Sequence, residues 1–195
     1  MSITSYLNEK GFYSFEGYSQ QISQQVKDLI DLTKGVTNII EIGFNAGHSA
    51  EIFLENNKDL ILISFDLGKH EYVNTGKEYI DFKYPNRHTL IFGDSIETLP
   101  KFIEENKDKK FDFIFIDGGH EYEIVKQDIE NSFNLSHKDT IIIVDDTIFR
   151  KEWEKSWTIG PTKGWLNNIK DNKIIEIGRK EYSIGRGMSW GKYKI

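Results

Sequence analysis

The stretch Asn38-Ile39-Ile40-Glu41-Ile42-Gly43-Phe44-Asn45-Ala46-Gly47-His48-Ser49 changes character half-way along. Asn38–Ile42 is a short, mostly apolar run and reads as a buried strand. Ala46–Asn57 then places Ala50, Phe53 and Leu54 at helical spacing. Between the two, Gly43 and Gly47 let backbone approach a neighbour closely, and Asn45 is the non-glycine type that best tolerates positive φ. A strand that feeds a helix through such a turn opens an α/β unit. The turn by itself is equally compatible with a plain tight connection.

Outward from this unit the pattern repeats. Leu60–Phe65, Thr89–Phe92, Phe111–Ile116 and Thr140–Val144 read as further strands. Helical stripes separate the later ones: Ile96, Leu99 and Ile103 in one, then Tyr122, Val125, Ile129 and Phe133 in the next. Strands alternating with helices predict a parallel sheet with right-handed crossovers. Lys173–Ile177 and Met188–Tyr193, joined by a short link, predict an antiparallel hairpin at the sheet edge. Upstream, Ile22, Val26, Leu29 and Ile30 share one helix face that ends near Gly35. Residues 1–18, with Phe12, Tyr13, Phe15 and Tyr18, read as irregular and suit a cover over the site or a homodimer contact. The segment 147–165 carries Trp153, Trp157, Gly160, Pro161 and Trp165 and reads as a loop, either a substrate wall or a cover for the sheet. With no linker or repeat, residues 1–195 are read as one domain.

Composition narrows the function classes. There is no cysteine, which excludes disulfides, thiolate nucleophiles and zinc–thiolate sites. No apolar run is long enough to span a bilayer, and Met1-Ser2-Ile3-Thr4 lacks the start of a secretory signal, so a cytoplasmic location without membrane attachment is expected. The net charge is -6 and no basic stripe is visible, which points to a small-molecule acceptor rather than a nucleic acid.

Ligands of such sheets gather beyond the carboxyl ends of the strands, where strand order reverses. Asp66, at the end of the second strand and nineteen residues after Gly47, stands where an acid accepts ribose hydroxyls. Glu41 beside the glycine turn would repel a pyrophosphate, so a cationic, phosphate-free nucleoside such as S-adenosylmethionine fits better than a nicotinamide dinucleotide. Asp117 ends the fourth strand and Asp145-Asp146 end the fifth, so adjacent strands would gather three carboxylates. Clustered carboxylates need protons or a cation, and oxygen donors suit Mg2+, Ca2+ or Mn2+. The plainer roles stay open: Asp117 as a frame for the cofactor, Asp146 as a turn cap, His120 bonded to backbone.

These residues resemble a known family. Glu41-x-Gly43-x-Asn45-x-Gly47-His48-Ser49, Gly93-Asp94-Ser95 and Ile116-Asp117-Gly118-Gly119-His120-x-Tyr122 are similar to the motifs of class I S-adenosylmethionine-dependent methyltransferases. The closest branch has Asp-Gly-x-His-x-Tyr after its fourth strand. The likeness runs from about Gly35 to the C-terminus, including Arg186-Gly187-Met188-Ser189-Trp190-Gly191. It implies a Rossmann-like α/β fold with seven strands in the order 3-2-1-4-5-7-6. It also implies cofactor binding by Glu41, Gly43, Asn45, Gly47, Ser49, Asp66, Asp94, Ser95 and Asp117, with helix capping an alternative for Asp94. Some members that methylate hydroxyls of sugars and natural products hold a metal such as Mg2+ on three acids, which correspond here to Asp117, Asp145 and Asp146. Their catalytic base corresponds to His120, so that Asp117 and His120 become the catalytic pair. The rival readings are an NAD(P)-dependent oxidoreductase on a Rossmann sheet and a non-catalytic cofactor-binding module.

Overall fold

The computed structural model describes residues 1–195. Apolar alternation sorts the side chains of each strand onto two faces. Ile39, Leu62, Phe113 and Ile143 pack into one core, while Ile40, Ile63, Ile114 and Ile142 pack into the other. A sheet apolar on both faces must be covered twice, and helices do so. The strands are β1 (Asn38–Ile42), β2 (Ile61–Asp66), β3 (His88–Phe92), β4 (Phe111–Ile116), β5 (Ser136–Asp145), β6 (Ile174–Ser183) and β7 (Arg186–Tyr193). Helices α1 (Ile3–Glu9), α2 (Ser23–Leu32), α3 (His48–Asn56) and α4 (Glu71–Lys83) contribute to the first core. Helices α5 (Ser95–Glu105), α6 (Tyr122–Ser132) and α7 (Ser156–Lys170) contribute to the second.

The strand order is β3-β2-β1-β4-β5-β7-β6, as the resemblance implies. Strands β1 to β5 pair in parallel, and β7 runs antiparallel to both β5 and β6. Order reverses at β1, whose neighbours are β2 and β4, so the crevice lies beyond Ile42. No helix is long and apolar enough to cross a membrane.

Two segments differ from the sequence reading. Residues 3–9, expected within an irregular 1–18, form α1: Ser2 Oγ accepts the Ser5 amide, and Ile3 and Leu7 are fully buried. Two apolar residues one turn apart are too few to announce a helix, and tertiary burial supplies the rest. Residues 156–170 form α7, although 147–165 reads as a loop. Gly160 and Pro161 suggest a break in sequence, yet both are buried inside the helix. The reason is packing. A Cβ at position 160 would fall 2.0 Å from the His120 carbonyl oxygen, so glycine lets α7 press against the loop after β4.

Candidate active site

The glycine turn is built around Asp66 and Asp117. Gly43 has φ +97°, and a Cβ there would lie 2.0 Å from the Asp117 carbonyl oxygen. Only glycine permits both. The Asp117 amide in turn donates to the Ile42 carbonyl at 2.8 Å, which ties the end of β4 to the turn. Asn45 adopts φ 52°, and its amide donates to Asp66 Oδ2 at 2.7 Å. The Gly68 amide donates to Asp66 Oδ1, also at 2.7 Å. Asp66 is half-buried and keeps lone pairs free, which suits the acceptance of ribose hydroxyls.

Glu41 is placed differently. It is fully buried beneath the turn, where Ser49 and Ser64 donate to its two oxygens. Burial pushes its carboxyl up to about 7 despite the two serine hydroxyls. Ser64 also meets His88 Nε2 at 3.0 Å. Glu41 and Ser49 therefore brace the cradle from below instead of rimming it.

A narrow cleft runs between the turn and the N-terminal segment, lined in part by Gly17, Tyr18, Gly43, Asn45, His48 and Asp117. Asn45 Nδ2 donates to the Gly17 carbonyl at 3.2 Å, and Tyr18 stacks on His48 at 4.1 Å between centroids. Burial holds His48 neutral, lowering it to about 4. Asn45 Oδ1 and His48 Nδ1 are buried without hydrogen-bond partners. A glycine-floored cradle with orphaned polar atoms and an acid at its far end fits a polar nucleoside ligand.

Asp94 is exposed and caps α5, its Oδ1 accepting the Ile96 amide at 3.1 Å, and Ser95 opens that helix. Both stand at the end of β3, on the same side of the sheet as Asp66. Exposed Leu67 and Phe92 flank them, the Phe92 ring lying against Gly68. Neither was picked out in sequence, where Phe92 reads as an ordinary strand residue and Leu67 falls after the second strand. Exposure at the ligand edge is their only signal.

Beyond β4 and β5 the structure gathers Asp117, His120 and Asp146, whose candidate ligand atoms lie within 4.8 Å of one another. His120 Nε2 is 3.2 Å from Asp146 Oδ2. The hydrogen bond to Asp146 raises the imidazole above its ordinary range against a smaller effect of burial. Burial and the neighbouring charges of Asp145 and Asp146 push Asp117 well above the usual carboxylate range. Asp145 is not part of this group. Its Oδ1 accepts from the buried Gln25 side chain at 2.8 Å and its Oδ2 is buried without a hydrogen-bond partner. Of the three acids read as metal ligands, Asp117 and Asp146 converge, and the second-fold partner beside them is His120. The donor chemistry still fits a hard divalent cation, since Asp146 Oδ1 is buried without a hydrogen bond.

Arg186, quoted in sequence only within the last-strand likeness, was given no role in the site there. It opens β7, far along the chain, and its Nη1 lies 3.6 Å from Asp146 Oδ1. The Tyr122 hydroxyl accepts from Asn167 Nδ2 at 2.7 Å and so links α6 to α7.

A family model described as a methyltransferase domain matches residues 40–147, more than half of the chain. The chain belongs to that methyltransferase family. The match spans the glycine turn, Asp66, Asp94, Asp117, His120, Asp145 and Asp146. Among solved structures, this methyltransferase resembles the O-methyltransferase from Bacillus cereus in complex with SAH, with TM-score 0.76, 19% identity, and coverage of 98% of this chain and 89% of that one. It also resembles the O-methyltransferase TomG from Streptomyces achromogenes, involved in tomaymycin synthesis and in complex with SAM, with TM-score 0.75, 13% identity, and coverage of 99% and 88%. CalS11, a TDP-rhamnose 3'-O-methyltransferase of calicheamicin biosynthesis, is similar at TM-score 0.65 and 18% identity, with coverage of 89% and 81%. At these identities the likeness is one of fold. No curated protein matches the sequence.

Proposed function

We propose that this methyltransferase moves a methyl group from S-adenosylmethionine to a hydroxyl oxygen of a small polar acceptor, such as a sugar or a glycosylated metabolite. One observation carries the reading. The cradle for the donor and the His120–Asp146 pair meet at a single residue, Asp117, whose carbonyl abuts Gly43 and whose carboxylate joins the pair. Family membership and neighbours named as O-methyltransferases support it, and the sugar acceptor draws support from the CalS11 fold likeness. The nicotinamide alternative has no comparable support.

The bound donor supplies an electrophilic methyl carbon on a sulfonium. The chain's part is to hold an acceptor oxygen in line and to take its proton. A hydroxyl is a weak nucleophile until that proton leaves, so a positioned base is the central requirement. With Nε2 turned toward Asp146 Oδ2, 3.2 Å away, the Nδ1 of His120 is the atom left to accept the proton, and Asp146 stabilises the imidazolium that forms. Asp117 and Asp146, with His120 beside them, are the residues that would hold a divalent cation, whose Lewis acidity would lower the pKa of an acceptor hydroxyl.

Calorimetry and turnover on a panel of hydroxylated acceptors test this together. His120→Ala should bind S-adenosylhomocysteine as the parent does and lose about 10²- to 10⁴-fold in kcat, the usual share of a general base. Unchanged turnover would remove the base assignment. No heat with S-adenosylmethionine or S-adenosylhomocysteine would remove the whole reading, and no turnover on any acceptor despite tight binding would favour a non-catalytic module.

A further inference from the structure

Three acids crowd the end of β5 and β4, and one cation faces them. Strand β7 runs antiparallel to β5 with Met188 opposite Asp145, which carries Arg186 two residues further, over Asp146. The Arg186 side chain is 16% exposed and that of Asp146 is 6% exposed, so solvent screens this pair poorly. Their separation of 3.6 Å is too long for a hydrogen bond. Arg186 Nε and Asp146 Oδ1 are both buried without hydrogen-bond partners. The N-terminal segment closes the other side. A Cβ at Gly17 would fall 2.8 Å from Arg186 Nη1, so the guanidinium is held between Gly17 and Asp146. An arginine kept there without the fork pairing it normally makes with a carboxylate is acting as a charge rather than as a clamp.

We propose that Arg186 is the resident counter-ion of the acid cluster and that it competes with a divalent cation for Asp146. The inference rests on Asp117 and Asp146 as the cation-holding residues of the function proposed above. A guanidinium and a doubly charged ion on the same carboxylate repel strongly at this range and depth. Binding of the cation therefore requires Arg186 to swing away from Asp146 Oδ1. Affinity for the ion is low while Arg186 is in place, and a chelator leaves the fold intact because the cluster keeps one built-in positive charge. Arg186 is a positioning residue in this scheme, holding Asp146 and through it the ring of His120.

The test is Mn2+ binding, followed by calorimetry and by the loss of the free-ion paramagnetic signal, in the parent, Arg186→Met and Arg186→Lys, with thermal unfolding in EDTA alongside. Arg186→Met should bind Mn2+ at least tenfold more tightly than the parent, with Arg186→Lys close to the parent. The melting temperature of Arg186→Met should fall in EDTA and recover with Mn2+. Equal Mn2+ affinity in parent and Arg186→Met, or none in either, would overturn the proposal. Should Arg186→Met fail to fold, the Asp146→Asn/Arg186→Met double variant decides: its folding supports the counter-ion role, and its failure makes Arg186 a packing residue. S-adenosylhomocysteine binding by the same proteins reports separately on the methyltransferase reading.

Discussion

Asp66 does two jobs with one carboxylate. Each of its oxygens accepts a loop amide, from Asn45 and from Gly68, and its remaining lone pairs face the crevice. Replacing it removes a ligand contact and also loosens the turn that forms the cradle. Asp66→Ala should therefore weaken S-adenosylhomocysteine binding by roughly 10- to 100-fold, the worth of one or two hydrogen bonds to a charged group. Asp66→Asn should fall between, since one amide can still be accepted. Calorimetry checks this, and an unchanged affinity would move the ribose elsewhere. At this scale the sequence was readable for Asp66, Gly43 and Asn45, because backbone conformation and spacing alone demanded those residue types. It was not readable for Glu41. An acid next to a glycine turn looks the same whether it faces a ligand or two serines, and the serines that decide it come from α3 and β2.

Helix α7 shows how an element can set the chemistry without touching a reactant. Its Gly160 lies under the His120–Tyr122 loop, with Tyr122 N 2.8 Å and the Glu121 carbonyl carbon 3.1 Å from where a Cβ would stand. Gly160→Ala must push either α7 or that loop outward, and His120 moves with the loop. A displacement of about 1 Å in a reacting group costs on the order of 10²-fold in rate. The expected outcome is a drop of that order in kcat with S-adenosylhomocysteine affinity within about threefold of the parent, because the cradle lies on β1 and β2. A parallel loss of both would mean that α7 supports the whole fold, not the base. The strands and helices α2, α3, α5 and α6 were legible, since each carries an apolar run or stripe. Helices α1, α4 and α7 were not. Their signals are interrupted by Asn74, Thr75 and Gly76 in α4 and by Gly160-Pro161 in α7, and buried partners from elsewhere in the chain offset those weak propensities.

Taken across the molecule, buried titratable groups oppose one another. Burial pushes Glu41 and Asp128 up to about 7, and it lowers His48 to about 4 and His88 to about 3. For the acids, the unfolded chain releases its protons near the ordinary carboxylate values while the folded chain keeps them. Their protonation thus costs stability as pH rises from the unfolded values through 7, and the cost is constant above that. The two histidines work in reverse: the unfolded chain takes up protons below about 6.5 and the folded chain resists, so stability falls as the medium is acidified. Between about pH 4.5 and 6.5 the slope of the two histidines therefore offsets that of Glu41 and Asp128. Glu41→Gln breaks that balance while keeping a neutral group that can bond Ser49 and Ser64. Relative to the parent it should gain stability as pH rises from 4.5 to 7.5, approaching about 3 kcal/mol at the top of the range. Denaturant melts of both proteins at pH 4.5, 6 and 7.5 read this directly. A constant difference across the series would mean that Glu41 titrates alike in the folded and unfolded chain, and the buried acid beneath the glycine turn would then not be the source of alkaline loss.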